Sequence, residues 1–371
     1  MQKSFKIRSS SGSYAVLVGQ SILKDIAESN KDSLFIIDDN LRNYIPKYVE
    51  KIIYIKANEK SKSLECIPNY IKKMKEYNIN RKSHIYAIGG GVIQDIATFS
   101  SSIYMRGISW SYFPTTVLGM VDSCIGGKSA INLENKKNLV GNFFPPKNIY
   151  IDLEFIKTLA IDHTIGGIFE ASKICYAKGE DEFNKFIDII NNSISTNPVK
   201  IYTKIDFYLM ILLSLESKKW FIETDEFDQK ERLLLNFGHT FGHAFESATN
   251  YKISHGISVG FGMAVAIEVS VLMGLLNDEG INYTNKMNVF LKNTFLTIKD
   301  MKEIKVKSFN YELYLEAFNN DKKHLADQYR VILPCDNGNL RLISLEKNKE
   351  VQKIFISASE KYIKNFNFIE N

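Results

Sequence analysis

Three of the six histidines in this chain of 371 residues fall in one short stretch, at His239, His243 and His255. His239 and His243 lie four apart in the run Asn236-Phe-Gly-His-Thr-Phe-Gly-His-Ala-Phe-Glu246, so on a helix both imidazoles project from one face. Histidine nitrogens joined by one carboxylate make a catalytic divalent-metal site that keeps an open position. The same spacing suits two helix-face histidines hydrogen-bonded to backbone, and the pair lacks the intervening Glu of the metalloprotease motif. A second cluster is Gly89-Gly90-Gly91, which follows the apolar run ending in Ala87 and Ile88 and opens a pattern whose first turn contains Asp95. Glycines at a strand-to-helix junction let a backbone approach a pyrophosphate, with the helix N-terminus offering unpaired N–H groups. A tight turn alone would also use them, since this is not the strict dinucleotide fingerprint.

The elements that must carry these residues differ along the chain. Short β-branched runs at Ser33 to Ile37, Ile52 to Ile55, His84 to Ile88 and Trp110 to Phe113 alternate with helical patterns. Leu64, Ile67, Ile71 and Met74 recur at helical spacing, and Val92 to Tyr104 reads as a second helix. This alternation predicts an α/β N-terminal domain, Rossmann-like, with a mostly parallel sheet. After Asp152 the strands fade, and Glu182 to Ser193, Lys204 to Lys219 and Leu233 to Thr249 read as longer helices. The chain exceeds the size at which a single core stops growing. The expected division is residues 1–153 as a nucleotide-binding α/β domain and 154–371 as an α-helical domain, the boundary following Pro145, Pro146 and the strand-like Asn148 to Ile151.

Composition narrows the function classes. Hydrophobic residues make up 45% and charged residues 24%, as in an ordinary globular protein. The net charge of +5 is spread among acidic residues with no basic run interleaved with aromatics, so no nucleic-acid partner is expected. A modest positive excess suits a substrate carrying phosphate or carboxylate. Cys66, Cys124, Cys175 and Cys335 are far apart and have no paired metal-ligand spacing, which argues against disulfides and a thiolate zinc site and fits a reducing compartment. The start Met-Gln-Lys-Ser-Phe lacks a signal-peptide apolar region, and the apolar run Phe207 to Leu213 is too short to span a bilayer. The expectation is a cytoplasmic protein with no membrane partner.

Longer motifs then carry a resemblance. Gly89-Gly-Gly-Val-Ile-Gln-Asp95, Tyr104-Met-Arg-Gly107, Pro114-Thr-Thr116, Val121-Asp-Ser-Cys-Ile-Gly-Gly-Lys128, Lys137-Asn138 and the Asn236 to Glu246 run stand in order and spacing as in the 3-dehydroquinate synthase family of sugar-phosphate cyclases. The agreement runs from Asp38 to Arg330. The resemblance implies Glu170, His239 and His255 as ligands of a zinc or cobalt ion, with His243 contacting substrate phosphate instead. It implies an NAD site in which Asp38, Asn40, Glu59 and Lys62 lie near the adenosine ribose and Gly90, Gly91 and Val92 approach the pyrophosphate. Asp95 would meet the nicotinamide end, while Thr115, Thr116, Phe155 and Thr158 line the cofactor. Asp122, Lys128 and Lys137 are shared between cofactor and substrate, and Asn138, Lys173, Lys218, Arg232, Asn236, Lys322 and Lys323 complete the substrate set. Several donors are needed to replace the water lost by a phosphate dianion, and planar Arg suits a carboxylate. Arg106 matches the position that reaches a partner subunit's phosphate site, implying a homodimer.

The implied reaction converts a seven-carbon 2-keto-3-deoxy acid phosphate (DAHP) into 3-dehydroquinate and phosphate. NAD transiently oxidises a metal-held hydroxyl, phosphate leaves by β-elimination, hydride returns, and the opened ring closes by an aldol addition. Gln94 stands where dehydroquinate-forming members usually have Gly, Ile257 where they have an acidic residue, and Lys136 where Gly is frequent. The segment Ile168-Phe-Glu-Ala-Ser-Lys-Ile-Cys175 also departs from the common Leu-Ala-Glu-Val-Ile-Lys pattern. These departures mark a divergent branch. One rival is therefore a cyclase acting on another hexose or heptulose phosphate. Lys218, Arg232 and Asn236 favour the acid substrate, because burying two cations calls for an anion opposite them. A metal-dependent polyol or glycerol-phosphate dehydrogenase is a second rival, distinguished by net NADH release, and an inactive binding subunit is a third.

Overall fold

The computed structural model describes residues 2–134, 136–192, 205–298, 309–321 and 323–365. The chain divides into two compact units: Met1–Leu159 with Lys219–Phe227, and Ala160–Lys218 with Asp228–Asn371.

The first unit is built on a seven-stranded sheet in the order β1-β2-β9-β6-β5-β3-β4. Its strands are β1 (Lys3–Ser9), β2 (Gly12–Gly19), β3 (Leu34–Asp38), β4 (Ile52–Ile55), β5 (His84–Gly89), β6 (Ser109–Pro114) and β9 (Asn148–Asp152). Only β1 and β2 pair antiparallel; every other neighbouring pair is parallel. The central strands are apolar through their length, as a sheet covered on both faces requires, with Phe35, Ile36, Ile37, Ala87 and Ile88 fully buried. Helices α1 (Ile22–Ser29), α2 (Ile67–Glu76) and α3 (Gly91–Ile103) connect the strands, and β7 (Ile131–Leu133) pairs with β8 (Lys136–Val140) as a separate hairpin. The β1–β2 hairpin lies outside the strands expected from sequence. Its outer strand buries only Ile7, so its hydrophobic alternation is faint.

The expected boundary at residue 153 falls inside the first unit. Asp152 accepts the backbone N–H groups of Ser21 and Leu23, both at 3.0 Å, and Phe155 is buried in the turn that follows. These contacts hold Leu153–Thr158 with the sheet. The segment Lys219–Phe227 belongs there too, because Glu223 and Glu226 accept hydrogen bonds from Arg8, Ser9 and Ser10 on the β1–β2 hairpin.

The second unit contains α4 (Ile161–Lys178), α5 (Glu180–Asn191), most of α6 (Phe207–Thr224), α7 (His239–Ala248), α8 (His255–Leu272), α9 (Asp278–Ile298), α10 (Tyr311–Asn319) and α11 (Lys349–Asn365). It is not wholly helical, since β10 (Gln328–Cys335) and β11 (Asn339–Glu346) form an antiparallel hairpin. The single helix expected from Leu233 to Thr249 is broken. Glu231–Asn236 is a 3-10 turn, and Gly238 sits at φ 76°, where a Cβ would meet the Val259 carbonyl oxygen and the Met263 side chain. Lys204 and Ser193, the expected ends of two helices, lie outside the described residues. Helix α8 is long and apolar enough to cross a membrane, but 78% of it is buried inside the protein, so it serves as the core helix of this unit. It crosses α4 where Gly256 meets Gly166, and any side chain at Gly256 would strike the α4 backbone. That close crossing sets His255 beside the buried face of α4.

Candidate active site

Three elements of the second unit converge on one carboxylate. Glu170 and Lys173 lie one turn apart on α4, are 1% and 2% exposed, and pair through Glu170 Oε2 and Lys173 Nζ at 2.5 Å. The other oxygen, Oε1, stands 3.8 Å from His239 Nε2 and 3.4 Å from His255 Nε2. His239 is the first residue of α7 and His255 the first of α8, so the break at Gly238 and the loop after α7 fix their positions. Both rings are tied at the far nitrogen. His239 Nδ1 donates to the Phe237 carbonyl oxygen at 3.3 Å, and His255 Nδ1 donates to Glu246 Oε2 at 3.1 Å. Tied in this way, both rings turn Nε2 toward Glu170, and a neutral imidazole so held would offer the lone pair of that nitrogen to a cation placed between them.

The donor set fits a divalent metal. A tetrahedral ion at about 2.0–2.1 Å from nitrogen and carboxylate donors sets those donors about 3.3–3.4 Å apart, close to the spacings around Glu170 Oε1. The ligand nitrogens of His239, His243 and His255 also lie within 4.8 Å of one another. His243 is exposed, one turn further along α7, with ring centroids 5.3 Å from His239 and 5.4 Å from His255. Burial holds His239 well below the ordinary imidazole range, and the Lys173 charge acts in the same direction. For His255 burial also opposes the charged form, but the bonds to Glu170 and Glu246 outweigh it and push its pKa up to about 10. Of the two imidazoles, His255 is thus the one favoured in the charged form, between Glu170 and Glu246.

The remaining second-unit candidates surround this centre unevenly. Lys218 on α6 and Arg232 in the 3-10 turn are buried. Asn236, whose Nδ2 donates to the Leu233 carbonyl at 3.0 Å, lines a crevice of about 100 Å³ with Lys323, Thr240 and Arg330. Lys323 Nζ is 3.7 Å from Asp321 Oδ2, and Lys322 lies outside the described residues. Arg330 and Glu246 carried no expectation from sequence. Glu246 falls seven residues after His239 and three after His243, a spacing that places it on the same face of α7.

In the first unit the glycine run behaves as a strand-to-helix junction. Gly89 ends β5, Gly90 caps α3 and Gly91 opens it, with Val92 in its first turn. A Cβ at Gly91 would meet nothing within 4 Å, so the helix N-terminus is open to a ligand, whereas one at Gly90 would touch the Thr116 methyl at 3.0 Å. Thr115 is buried and donates its backbone N–H to the Gly89 carbonyl. Asp38 ends β3 and accepts both N–H groups of Asn40 at 3.1 Å, which organises the turn at the strand's carboxyl end. Phe155 and Thr158 line a crevice of about 340 Å³ with Tyr44, Lys24 and Asp152.

Lys62, expected near the ribose, is buried and engaged by protein groups. Its buried Nζ donates to Asp95 Oδ2 at 3.0 Å and to Asn138 Oδ1 at 2.9 Å, while Glu59 is 3.8 Å away. It therefore joins Asp95 to the β7–β8 hairpin. Asp95 also accepts the Ala130 N–H, and burial, opposed by Lys62, raises its pKa to about 6. Asp122 lies in the π-helical turn Gly119–Ser123, which Gln94 grips from α3. The Gln94 amide donates to the Ser123 carbonyl and accepts the Ser123 hydroxyl, both at 2.6 Å. Lys128 and Lys137 are exposed, with Lys128 Nζ 5.9 Å above the Phe143 ring. Arg106 is exposed with φ 66°, after Met105 at φ 50°.

Comparison with known proteins matches this organisation. Residues 52–165 fit the family profile described as 3-dehydroquinate synthase N-terminal, and residues 167–324 fit that described as 3-dehydroquinate synthase C-terminal. The chain is 33% identical over 356 residues to the 3-dehydroquinate synthase of Dictyoglomus turgidum, covering 92% of this chain and 94% of that one. In fold it is similar to a 2-deoxy-scyllo-inosose synthase complexed with carbaglucose-6-phosphate, NAD+ and Co2+, at TM-score 0.78 and 21% identity over 95% of this chain and 100% of the other. It is likewise similar to the 2-epi-5-epi-valiolone synthase of Streptomyces hygroscopicus with NAD+ and Zn2+ bound, at TM-score 0.76 and 21% identity over 94% and 97% of the two chains. The two domain matches and the near full-length relative place this chain in the 3-dehydroquinate synthase family.

Proposed function

We propose that this protein is a 3-dehydroquinate synthase, a phosphorus–oxygen lyase that closes DAHP into 3-dehydroquinate with release of phosphate. The observation that carries the reading is the convergence of Glu170 Oε1 with His239 Nε2 and His255 Nε2 at 3.8 and 3.4 Å. Family membership and the name of the near full-length relative support the choice of substrate. Glu170, His239 and His255 would hold a divalent metal, zinc or cobalt. Gly90, Gly91, Val92, Thr115, Thr116, Phe155, Thr158, Asp38, Asn40, Glu59, Lys62 and Asp95 would hold NAD. When bound, these groups supply a Lewis acid for a substrate alkoxide and a hydride acceptor that returns what it takes.

The chain's own residues account for the rest. Lys173 keeps a buried positive charge beside Glu170, which stabilises negative charge developing on a substrate oxygen at that centre. His243, exposed beside the His239 and His255 imidazoles, is assigned to a phosphate oxygen. Asn236 and Lys323 offer donors from one crevice, and Lys218 and Arg232 are assigned to the carboxylate. In the first unit Asp122, Lys128, Lys137 and Asn138 are assigned to substrate hydroxyl and phosphate groups. Arg106 is assigned to the phosphate site of a partner subunit in a homodimer.

The test is incubation of purified protein with NAD, zinc or cobalt and DAHP. Phosphate release with formation of dehydroquinate by mass spectrometry and no net NADH supports the assignment. Turnover only of a hexose or heptulose phosphate moves the protein to another branch of the cyclases, and steady NADH accumulation with a polyol replaces the lyase reading by a dehydrogenase.

A further inference from the structure

We infer that Glu246 is a positioning residue of the metal centre: its carboxylate fixes the ring orientation and tautomer of His255, so that Nε2 presents a lone pair to the ion. The inference rests on the metal site proposed above. It concerns a residue that contacts none of the reacting groups.

The two ligand histidines reach their geometry by different means. His239 is 14% exposed, and its Nδ1 points at a backbone oxygen, that of Phe237. A main-chain acceptor holds that ring whatever side chains surround it. His255 is 36% exposed and opens α8 directly after Ser254, an extended residue at φ −66°, ψ 152°. No preceding helical turn packs against its ring. The only described atom that holds its Nδ1 is Glu246 Oε2 at 3.1 Å. Since a carboxylate only accepts, this bond keeps a proton on Nδ1, so that Nε2, 3.4 Å from Glu170 Oε1, is the nitrogen that would yield its proton to a bound ion. Losing the carboxylate frees the ring to rotate and lets the proton move to Nε2.

Glu246 is well placed for this task and little used otherwise. Its side chain is 16% exposed, so the bond to His255 is shielded from water on most sides. The fold uses its main chain, through the backbone carbonyl that accepts from Tyr251 N–H at 2.8 Å and Thr249 Oγ1 at 3.0 Å. A side-chain substitution leaves those two bonds in place. The negative charge also makes the imidazole more basic and strengthens its bond to a cation.

The experiment measures the equilibrium affinity of the full chain for Zn2+ and Co2+ by competition with a chromogenic chelator, with the d–d spectrum of the Co2+ form as a second readout. Glu246→Ala is expected to weaken binding about 10- to 100-fold, the usual effect of losing an outer-shell partner of a ligand histidine. Glu246→Gln keeps an acceptor for Nδ1–H but loses the charge, and its loss should be smaller and its Co2+ spectrum closer to wild type. In chelator both variants should stay folded with at most a small fall in melting temperature from loss of the part-exposed pair with His255, so that the loss in metal affinity separates positioning from a merely structural role. Should Glu246→Ala melt early, the isosteric Gln variant decides. Wild-type affinity in both variants overturns the inference while leaving the metal site standing. A wild-type protein that takes up neither ion overturns the site and the inference together.

Discussion

Replacing Lys173 by Met removes the cation paired with Oε2 of a carboxylate that is 1% exposed. Breaking a buried pair from one side costs about 3–5 kcal/mol, because the remaining charge stays desolvated. His255, 3.4 Å from the other oxygen of Glu170, offsets part of this, so the lower end is expected. For a unit of this size about 3 kcal/mol corresponds to a melting shift of about 6–12 °C. The two tryptophans, Trp110 and Trp220, both belong to the first unit, so their fluorescence reports that unit alone. Far-UV circular dichroism should therefore show an early transition in Lys173→Met while tryptophan emission melts as in wild type. Saturating zinc supplies the missing countercharge and should recover at least half of the shift, whereas in chelator the full shift persists. If Lys173→Met in chelator melts with the wild-type curve, the buried pair adds nothing to stability and the electrostatic account of the centre fails. Turnover should be lost in either case, since the charge beside the reacting oxygen is gone.

Four further outcomes are expected. Burial raises Asp95 to about 6, so between the ordinary carboxylate range and that pH the folded state binds the extra proton and wild-type stability falls as pH rises. Asp95→Asn lacks that dependence. The wild-type-minus-variant difference, from urea midpoints read by tryptophan emission, should decline by up to ~3 kcal/mol from pH 4 to 7, and a flat difference refutes the shift. Gln94→Ala deletes both bonds to Ser123 and should lower the stability of the first unit by about 1–3 kcal/mol, measured the same way. Mixing inactive Arg106→Ala and Lys173→Met proteins should restore part of the activity if each active site borrows Arg106 from a second copy, and no recovery at any ratio refutes the composite dimer. His243→Asn should retain one equivalent of metal by elemental analysis and lose turnover, while His239→Asn should lose the metal itself; the reverse pattern exchanges their roles.

Legibility in the sequence followed the range of each interaction. The parallel core strands were visible because Leu34–Asp38 and His84–Gly89 are buried on both faces and read as continuous apolar runs. The β1–β2 and β10–β11 hairpins were not. β1 buries one residue, and β10 is a nearly continuous buried run containing Pro334, which local pattern does not separate from helix or loop. The histidine spacing predicted a helical pair at His239 and His243, but the pairing of His239 with His255 depends on the return of α8 past Gly238, a tertiary event no local period contains. Family resemblance supplied Glu170, which lies 69 residues before His239. Family resemblance put Lys62 near the ribose, but its buried partners Asp95 and Asn138, 33 and 76 residues away, are contacts that no local pattern shows. Glu246 sat inside a quoted motif with a readable helical phase, and only the position of His255 gives that phase a meaning.

The division of labour at Glu170 bears on how many ligands the protein itself provides. Oε2 is committed to Lys173 at 2.5 Å, which leaves Oε1 as the oxygen facing both imidazoles. A carboxylate used through one oxygen contributes one ligand, and with two imidazole nitrogens the protein would supply three. Three protein ligands are what a catalytic ion needs to keep a position for substrate oxygen, whereas a fourth from His243 would close a tetrahedral site. His243 is more exposed than either ligand histidine, and it is Glu246 rather than His243 that meets His255 Nδ1. Lys173 therefore acts twice through one contact. It stands opposite a charge that would otherwise be costly to bury, and beside Oε2 it would disfavour an ion held through both oxygens of Glu170, leaving a position for substrate.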